Sequence, residues 1–321
     1  MDPQVALALD IGGTKLAAAA VDAHGRIRGR AQVPTVRTTD GDELFEALLA
    51  CAAAALRNAD VAVDELAGVG CGCGGPMRWP AGRVSPLNIP AWRDYPLRDR
   101  LAAELDRPVL VHNDAVALAA GEHWRGAGAG STDMLAVTVS TGVGGGLVLA
   151  GRLHHGASGN GGHVGHIVVE PDGPACACGG YGCVEAIASG PNTVRRALDE
   201  GWRPGDQGPG AEPDGRALAA AAAAGDELAV RNLARAGRAV GLAIASTAQL
   251  MDLQVATVAG GFSQSGPAFW DGLMDAHRRH AGLEWAARLR IEPSAIPRDA
   301  GLLGAAAFVL LPERYGWAIV G

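Results

Sequence analysis

Aromatic residues make up only 4% of this 321-residue chain, and lysine is all but missing, with Lys15 its single representative. A chain this poor in large rings must fill its interior with alanine, valine and leucine. Lysine's scarcity beside many arginines reads as a genome-wide codon bias. No excess of basic charge exists either: the formal net charge is −7, so no overall field recruits nucleic acid or an anionic membrane. Uninterrupted apolar runs are also missing. The alanine-rich stretches 102–120 and 217–224 meet Asp, Glu or Arg before about twenty apolar residues accumulate, so no membrane span is expected. The opening MDPQVALALDIGGTK has neither a basic n-region nor an apolar segment with a cleavage site, and no signal peptide is expected. The expected compartment is the cytoplasm, where thiols stay reduced. Its six cysteines then stand as ligands, nucleophiles or small core residues before disulfides. Disorder is excluded by 48% hydrophobic residues. Collagen is excluded because the 47 glycines follow no three-residue period.

What is present is an alternation of short apolar runs and glycine turns. Val5–Asp10, a Gly-Gly turn, Lys15–Val21 and Arg26–Pro34 read as three strands in a meander. Asp42–Arg57 carries apolar residues at helical spacing. Ala67–Gly70 begins a buried strand ending in Gly72, Gly74, Gly75 and Pro76. Leu97–Leu105 reads as a helix and Pro108–His112 as a strand, with Asn113-Asp114 at its end and a helix from Ala115 to His123. The device recurs: Asp133–Ser140 reads as a strand, Thr141–Gly146 as a glycine turn, and Leu147–Ala150 as another strand. Beyond the loop 156–190, helices fill Thr193–Gln249, a strand at Val255–Val258 meets Gly260-Gly261, and Ala300–Leu311 closes the chain as a helix. Residues 200–215 read as a surface loop. Two strand–glycine turn–strand units point to an internally duplicated α/β fold with a nucleotide between the halves.

Four groups of residues carry chemistry. Asp10-Ile-Gly-Gly-Thr-Lys15 ends a strand in small residues, whose backbone N–H groups can turn toward a phosphate without Cβ obstruction, and Asp10 can hold a Mg²⁺ shell. Alone, such a hairpin is mostly a tight turn. Ser140-Thr-Gly-Val-Gly-Gly-Gly146 repeats it with two hydroxyls, and neither segment fits the two common glycine-rich nucleotide motifs. His166, Cys176, Cys178 and Cys183 form H-x9-C-x-C-x4-C, a complete tetrahedral zinc set with no open position and hence a structural site. Asn113-Asp114 offers a general base beside an amide, against the plainer reading of a helix N-cap. Glu185 reads as a sugar ligand or a first-turn helix acid. His154-His155 reads as solvated, whereas His163 and His166, three apart in GNGGHVGH, do not. Cys71, Cys73 and Cys51 read as core thiols.

DIGGTK at 10–15, the glycine–proline region at 74–76, ND at 113–114, STGVGGG at 140–146, GHVGH with CxCGxxGCxE at 162–185 and DAGLLGAA at 299–306 resemble the ROK sugar kinases over nearly the whole chain. That family lies in the actin-like, hexokinase-like ATPase superfamily. The resemblance implies two actin-like, ribonuclease H-like α/β lobes with a nucleotide and sugar cleft between them. It implies a small lobe over 1–114 on which a C-terminal helix at about 302–321 packs, and a large lobe over 115–301 with the zinc knuckle at 166–183. It also implies ATP-dependent transfer of the γ-phosphate to a sugar 6-hydroxyl, with Asp114 as the base. Asn88, Asn113, His163, His166 and Glu185 would join Asp114 around the sugar. The loops at 10–15 and 139–146 would cradle MgATP through Asp10, Gly12, Gly13, Thr14 and Lys15 and through Ser140, Thr141, Gly142, Gly144 and Gly145. Gly260-Gly261 would flank the adenosine. Zn²⁺ would be structural and Mg²⁺ would arrive with ATP; the partners are a small sugar, MgATP and a second or further copies of the chain as homodimer or homotetramer. With DIGGT at residue 10, the winged helix of the family's repressors is not expected.

One departure bears on substrate. Many glucokinases of this family read ExGH where this chain has His163-Val-Gly-His166. A carboxylate only accepts hydrogen bonds, while a neutral imidazole offers one donor and one acceptor. The segment is similar to bacterial N-acetylmannosamine kinases, which points to N-acetylmannosamine. GVGCGCGGPM departs from the usual PGP turn, and SPLNIPAWRDYPL is similar to actinobacterial glucokinases, so glucose is the alternative. A sugar sensor without activity and a zinc-knuckle binding module are disfavoured, the first by Asp114 and both glycine loops, the second by the size of the chain around one knuckle.

Overall fold

The computed structural model describes residues 4–205 and 212–317. Residues 1–3 of the opening segment, 206–211 of the expected surface loop and 318–321 of the expected C-terminal helix lie outside the described residues. In chain order, strands β1 (Val5–Ile11), β2 (Lys15–Asp22) and β3 (Ile27–Pro34) precede helix α1 (Gly41–Ala59) and strand β4 (Leu66–Cys73). The short β5 (Met77–Arg78) and β6 (Arg83–Val84) lead to α2 (Leu97–Leu105), β7 (Val109–Asn113) and α3 (Asp114–Arg125). Next come β8 (Met134–Val139), β9 (Val143–Leu149) and β10 (Arg152–His154), then α4 (Val184–Ala188), α5 (Gly190–Asp199), α6 (Gly215–Ala223) and α7 (Glu227–Met251). The chain continues through β11 (Val255–Ala259), α8 (Pro267–His280), α9 (Glu284–Ala287), β12 (Arg290–Pro293), α10 (Ala300–Leu310) and α11 (Pro312–Tyr315). No helix among the described residues is long and apolar enough to cross a membrane.

The first sheet has the order β3-β2-β1-β4-β7, and the second, β10-β9-β8-β11-β12, repeats that order with its own first, second and third strands in the same places. The repeated topology supports the duplication read from the two glycine turns. β1 pairs antiparallel with β2 and parallel with β4, which in turn runs parallel to β7.

Period-two alternation sorts β1 and β2 by size. Leu7, Leu9, Ile11 and Leu16 face one side, where Leu44, Phe45 and Leu48 of α1 cover them. Asp40 starts that helix by accepting a hydrogen bond from the Asp42 N–H at 2.8 Å. Ala6, Ala8, Ala17 and Ala19 face the other side, under Leu302, Leu303, Ala305 and Ala306 of α10. Small residues let that helix come close. A Cβ on Gly70 would fall 1.8 Å from the Ala305 carbonyl oxygen, and one on Gly304 would fall 1.6 Å from that of Ala117 in α3.

Packing groups the chain into two compact units, one of residues up to 132, 146–162 and from 295 on, the other of 133–145 and 163–294. These limits differ from a boundary after Asp114. The contact of Gly304 with Ala117 explains the difference, since it ties α3 to α10. β4 ends at Cys73, within the glycine cluster expected to close it, and Gly72 and Cys73 pair with His112 and Asn113 of β7. One strand limit does differ. The expected turn Thr141–Gly146 is short: β9 begins at Val143, so Gly144, Gly145 and Gly146 are strand residues. Glycine is used there for proximity, since a Cβ on Gly146 would meet the Ala119 methyl at 2.6 Å. In the second unit, β8, β11 and β12 run parallel, and α7 is capped by Asp226, which accepts from the Ala229 N–H at 2.9 Å.

Candidate active site

In the first unit, Asp10 ends β1 on its small-residue face. A Cβ on Gly301, in the first turn of α10, would stand 3.5 Å from the Asp10 carboxyl carbon. The following turn is closed by the Gly12 N–H donating to the Lys15 carbonyl at 3.0 Å, and Thr35 Oγ1 donates to the Gly12 carbonyl at 2.6 Å. Gly13 and Thr14 are exposed. The Lys15 ammonium stands 4.0 Å from the Asp10 carboxylate. Burial pushes the Asp10 carboxyl up to about 6, with Lys15 pulling it down and Asp114 adding to the rise.

Asn113 and Asp114 sit where β7 passes into α3. Asn113 Oδ1 accepts from the Ala115 N–H at 3.0 Å, and Asp114 Oδ1 accepts from the same N–H at 2.8 Å. The N-cap reading of Asn113 is therefore correct, and capping holds the Asp114 side chain at the first position of the helix. Asp114 keeps an exposed surface, yet desolvation by the surrounding protein pushes its carboxyl up, partly offset by the Ala115 N–H. Exposed Asn88 reaches this same region: a Cβ on Gly13 would fall 2.5 Å from the Asn88 Cβ. Asn88 thus stands against the first glycine turn. Cys71 and Cys73 are buried core thiols on β4, and Cys51 is one on the buried face of α1.

In the second unit, the residues after β8 form a tight loop. The Ser140 N–H donates to the Gly142 carbonyl, and the Gly190 N–H donates to the Ser140 carbonyl, both at 2.8 Å. Ser140 and Thr141 are exposed. Glu185 Oε2 accepts from the Val143 N–H at 2.9 Å, and a Cβ on Gly142 would fall 2.6 Å from that oxygen. Gly260 has φ of 92°, and a Cβ on it would fall 2.2 Å from the Val139 carbonyl oxygen, while nothing lies within 4 Å of one on Gly261. The two glycine stretches of this unit therefore meet at the ends of β8 and β11.

His166, Cys176, Cys178 and Cys183 converge, their ligand atoms all within 4.8 Å of one another. Cys176 Sγ lies 3.7 Å from His166 Nδ1, and Cys178 Sγ lies 3.7 Å from Cys183 Sγ. Zinc–sulfur bonds of about 2.3 Å in a tetrahedron place sulfurs about 3.8 Å apart, so the donor set fits one such ion. Its chemistry fits too. Burial raises the thiols of Cys176 and Cys183, and the Gly180 amide lowers that of Cys178; a cation would relieve the crowding of three sulfurs. The knuckle's backbone is closed by Cys176 N–H on the Gly180 carbonyl and Gly182 N–H on the Pro174 carbonyl, both at 2.8 Å. Solvent-facing His163 stacks on His166, with ring centroids 5.0 Å apart and 21° between planes. Burial pushes His163 down, as does His166, while Glu185 pulls it up.

Some residues were missed from the sequence. Arg235 Nε donates to Glu170 Oε1 at 3.1 Å and pins the knuckle loop to α7; a lone arginine on a helix gives no such signal. His155 is not a solvated loop residue. It stacks on Trp79 and lies 3.2 Å from His112, whereas His154 is exposed. Trp79, His112 and Trp317, all far away in sequence, make His155 a packed residue.

The ROK family pattern matches residues 6–311. The chain is 38% identical to a ROK hexokinase from Thermus thermophilus, with a TM-score of 0.85 over 97% of this chain and 99% of that one. It is 34% identical to a ROK family glucokinase from Streptomyces griseus solved with glucose and AMPPNP, with a TM-score of 0.78 over 95% and 98% of the two chains. It is 36% identical to an N-acetylmannosamine kinase from Escherichia fergusonii over 94% of this chain and 96% of that one. The repeated sheets, the knuckle and the full-length match carry one conclusion: this chain belongs to the ROK family and is one of its ATP-dependent sugar kinases.

Proposed function

We propose that this kinase phosphorylates the 6-hydroxyl of N-acetylmannosamine. Asp114 takes the hydroxyl proton as O6 attacks the γ-phosphorus of ATP; the new O–P bond forms as the bond to the β-phosphate oxygen breaks, releasing ADP and the sugar 6-phosphate. Desolvation around Asp114 supports this role, since a carboxyl raised above its ordinary value is a stronger proton acceptor. Asn113, held at the cap, and Asn88, beside Gly13, would bind sugar hydroxyls. The turn at Gly12, Gly13, Thr14 and Lys15 and the loop at Ser140, Thr141, Gly142, Gly144 and Gly145 offer amides and hydroxyls to phosphates, with Asp10 toward the metal and Gly260-Gly261 toward adenosine. Mg²⁺ bound with ATP supplies neutralisation of developing phosphate charge; the residues supply position.

His166, Cys176, Cys178 and Cys183 would hold one structural Zn²⁺. With Nδ1 of His166 toward Cys176, its Nε2 is left for the sugar. The observation that carries the substrate reading is His163 stacked on His166, an imidazole where a carboxylate would serve glucose. Glucose is the second reading, supported by the 34% identity to a glucokinase. The free cysteines suit a reducing cytoplasm, and the family resemblance suits a homodimer or homotetramer. A coupled ADP assay over glucose, N-acetylmannosamine, N-acetylglucosamine, mannose and fructose tests the proposal. Preference for N-acetylmannosamine supports it, and efficient glucose turnover without N-acetylmannosamine turnover overturns it.

A further inference from the structure

A partly buried run of hydrogen bonds ends at the residue before Asp114 and has no part in the chemistry just described. His112, fully buried in β7, receives the Asn113 N–H on its Nδ1 at 2.8 Å. That nitrogen is therefore bare, and the ring proton of neutral His112 is on Nε2. Nε2 lies 3.2 Å from His155 Nδ1. The latter must accept, which puts the His155 proton on its own Nε2, 3.2 Å from the Gly316 carbonyl oxygen. One proton per ring satisfies every link from Gly316 to the Asn113 amide, and only one pair of tautomers does so.

The surroundings hold both rings in place. His155 stacks on Trp79 at 5.3 Å and 20° and on His112 at 5.3 Å and 26°, and Trp317 stands edge-on to His112 at 5.1 Å. Burial favours the neutral form of both imidazoles, pushing His112 down to about 3 and lowering His155. Asn113 has φ of −61° and ψ of 144°, and the orientation of its amide fixes the turn that aims Asp114.

We propose that His112 and His155 are positioning residues that tether the Asn113 amide, and through it Asp114, to the Gly316 carbonyl of the C-terminal segment. The proposal rests on the reading of Asp114 as the proton acceptor. It adds a link between the far end of the chain and the point of proton transfer.

Four variants of the full-length chain test it: H112F, H112N, H155F and, as a control, D114N. Phenylalanine keeps the aromatic packing and removes the acceptor. Asparagine keeps an acceptor oxygen where Nδ1 stood but cannot reach His155. Steady-state kinetics well below each variant's Tm should give a kcat for H112F about 10- to 100-fold below wild type, with H112N, which restores the acceptor but not the link to His155, recovering part of the loss. Hydrogen exchange at the Asn113 amide should be at least about tenfold faster in H112F, and should lie between wild type and H112F in H155F and H112N, which keep an acceptor for that amide but lose the link to Gly316. A purely structural role would lower Tm without ordering kcat by the presence of an acceptor. H112F within twofold of wild-type kcat, or H112N no better than H112F, overturns the proposal. If H112F does not fold, H155F decides: unchanged exchange at Asn113 overturns it. Should D114N keep its turnover, the proton-acceptor reading fails, and exchange at Asn113 still tests the tether by itself.

Discussion

Glu185 Oε2 stands 2.9 Å from the Val143 amide nitrogen and occupies the space a side chain on Gly142 would need. Glu185 follows the last knuckle cysteine by two residues, so the knuckle and the Ser140–Val143 loop share one carboxylate. Loss of the knuckle should disturb both.

Purified active protein is expected to contain one zinc per chain by elemental analysis. Chelation, or C178S, should weaken sugar binding and raise the KM for ATP together, because His166 and Glu185 both lose their anchor. Apparent binding of structural zinc of about 10–16 kcal/mol means that only a strong chelator competes for the ion. Active protein free of zinc would refute the assignment.

D114N removes a proton acceptor at nearly constant shape. Turnover should fall about 10²- to 10⁴-fold, with sugar affinity by calorimetry within a few-fold of wild type. A variant retaining most of its kcat would sink the role given to Asp114.

Asp10 combines stability and function with opposite signs. Its carboxyl is raised from 3.8 to about 6 on folding, so the folded state holds the proton more tightly than the unfolded chain. The contribution is fully present below pH 3.8 and is lost as pH rises through about 6. D10N should therefore be more stable than wild type at pH 8, by up to about 3 kcal/mol, and equal to it near pH 3. Its phosphoryl transfer should fall at every pH. Equal Tm values at pH 8 would contradict the burial argument.

The substrate reading proposed above turns on His163. N-acetylmannosamine presents an acetamido carbonyl, which only accepts; a carboxylate facing it is left unpaired, at about 1–3 kcal/mol. H163E should therefore move kcat/KM toward glucose by roughly tenfold to a hundredfold. No change in the ratio of the two sugars would remove His163 from the specificity argument.

Elements whose signal is local were legible from the sequence. α2 spans Leu97–Leu105 as read, and β1 and β2 follow from their alternation and the Gly-Gly turn. The convergence of His166 with three cysteines followed from spacing alone. What failed depends on neighbours far along the chain. Gly144–Gly146 reads as a turn by composition and is strand in the fold, with α3 close against Gly146. His155 reads as solvated in its polar loop, and is packed by Trp79, His112 and Trp317. The compact units differ from a boundary after Asp114 for a similar reason, since α3 packs closely on α10, nearly two hundred residues further along the chain.

The two faces of the first sheet are completed at very different times during synthesis. α1 follows β3 within a few residues and can cover Leu7, Leu9 and Leu16 at once. Ala6, Ala8, Ala17 and Ala19 wait for α10, roughly 280 residues later, which at ribosomal speeds is about 15–60 s. During that interval the growing chain carries an apolar sheet face that lacks its last covering helix. A nascent chain stopped before Ala300 should bind a hydrophobic dye that the finished protein excludes, because only the last long helix closes that face.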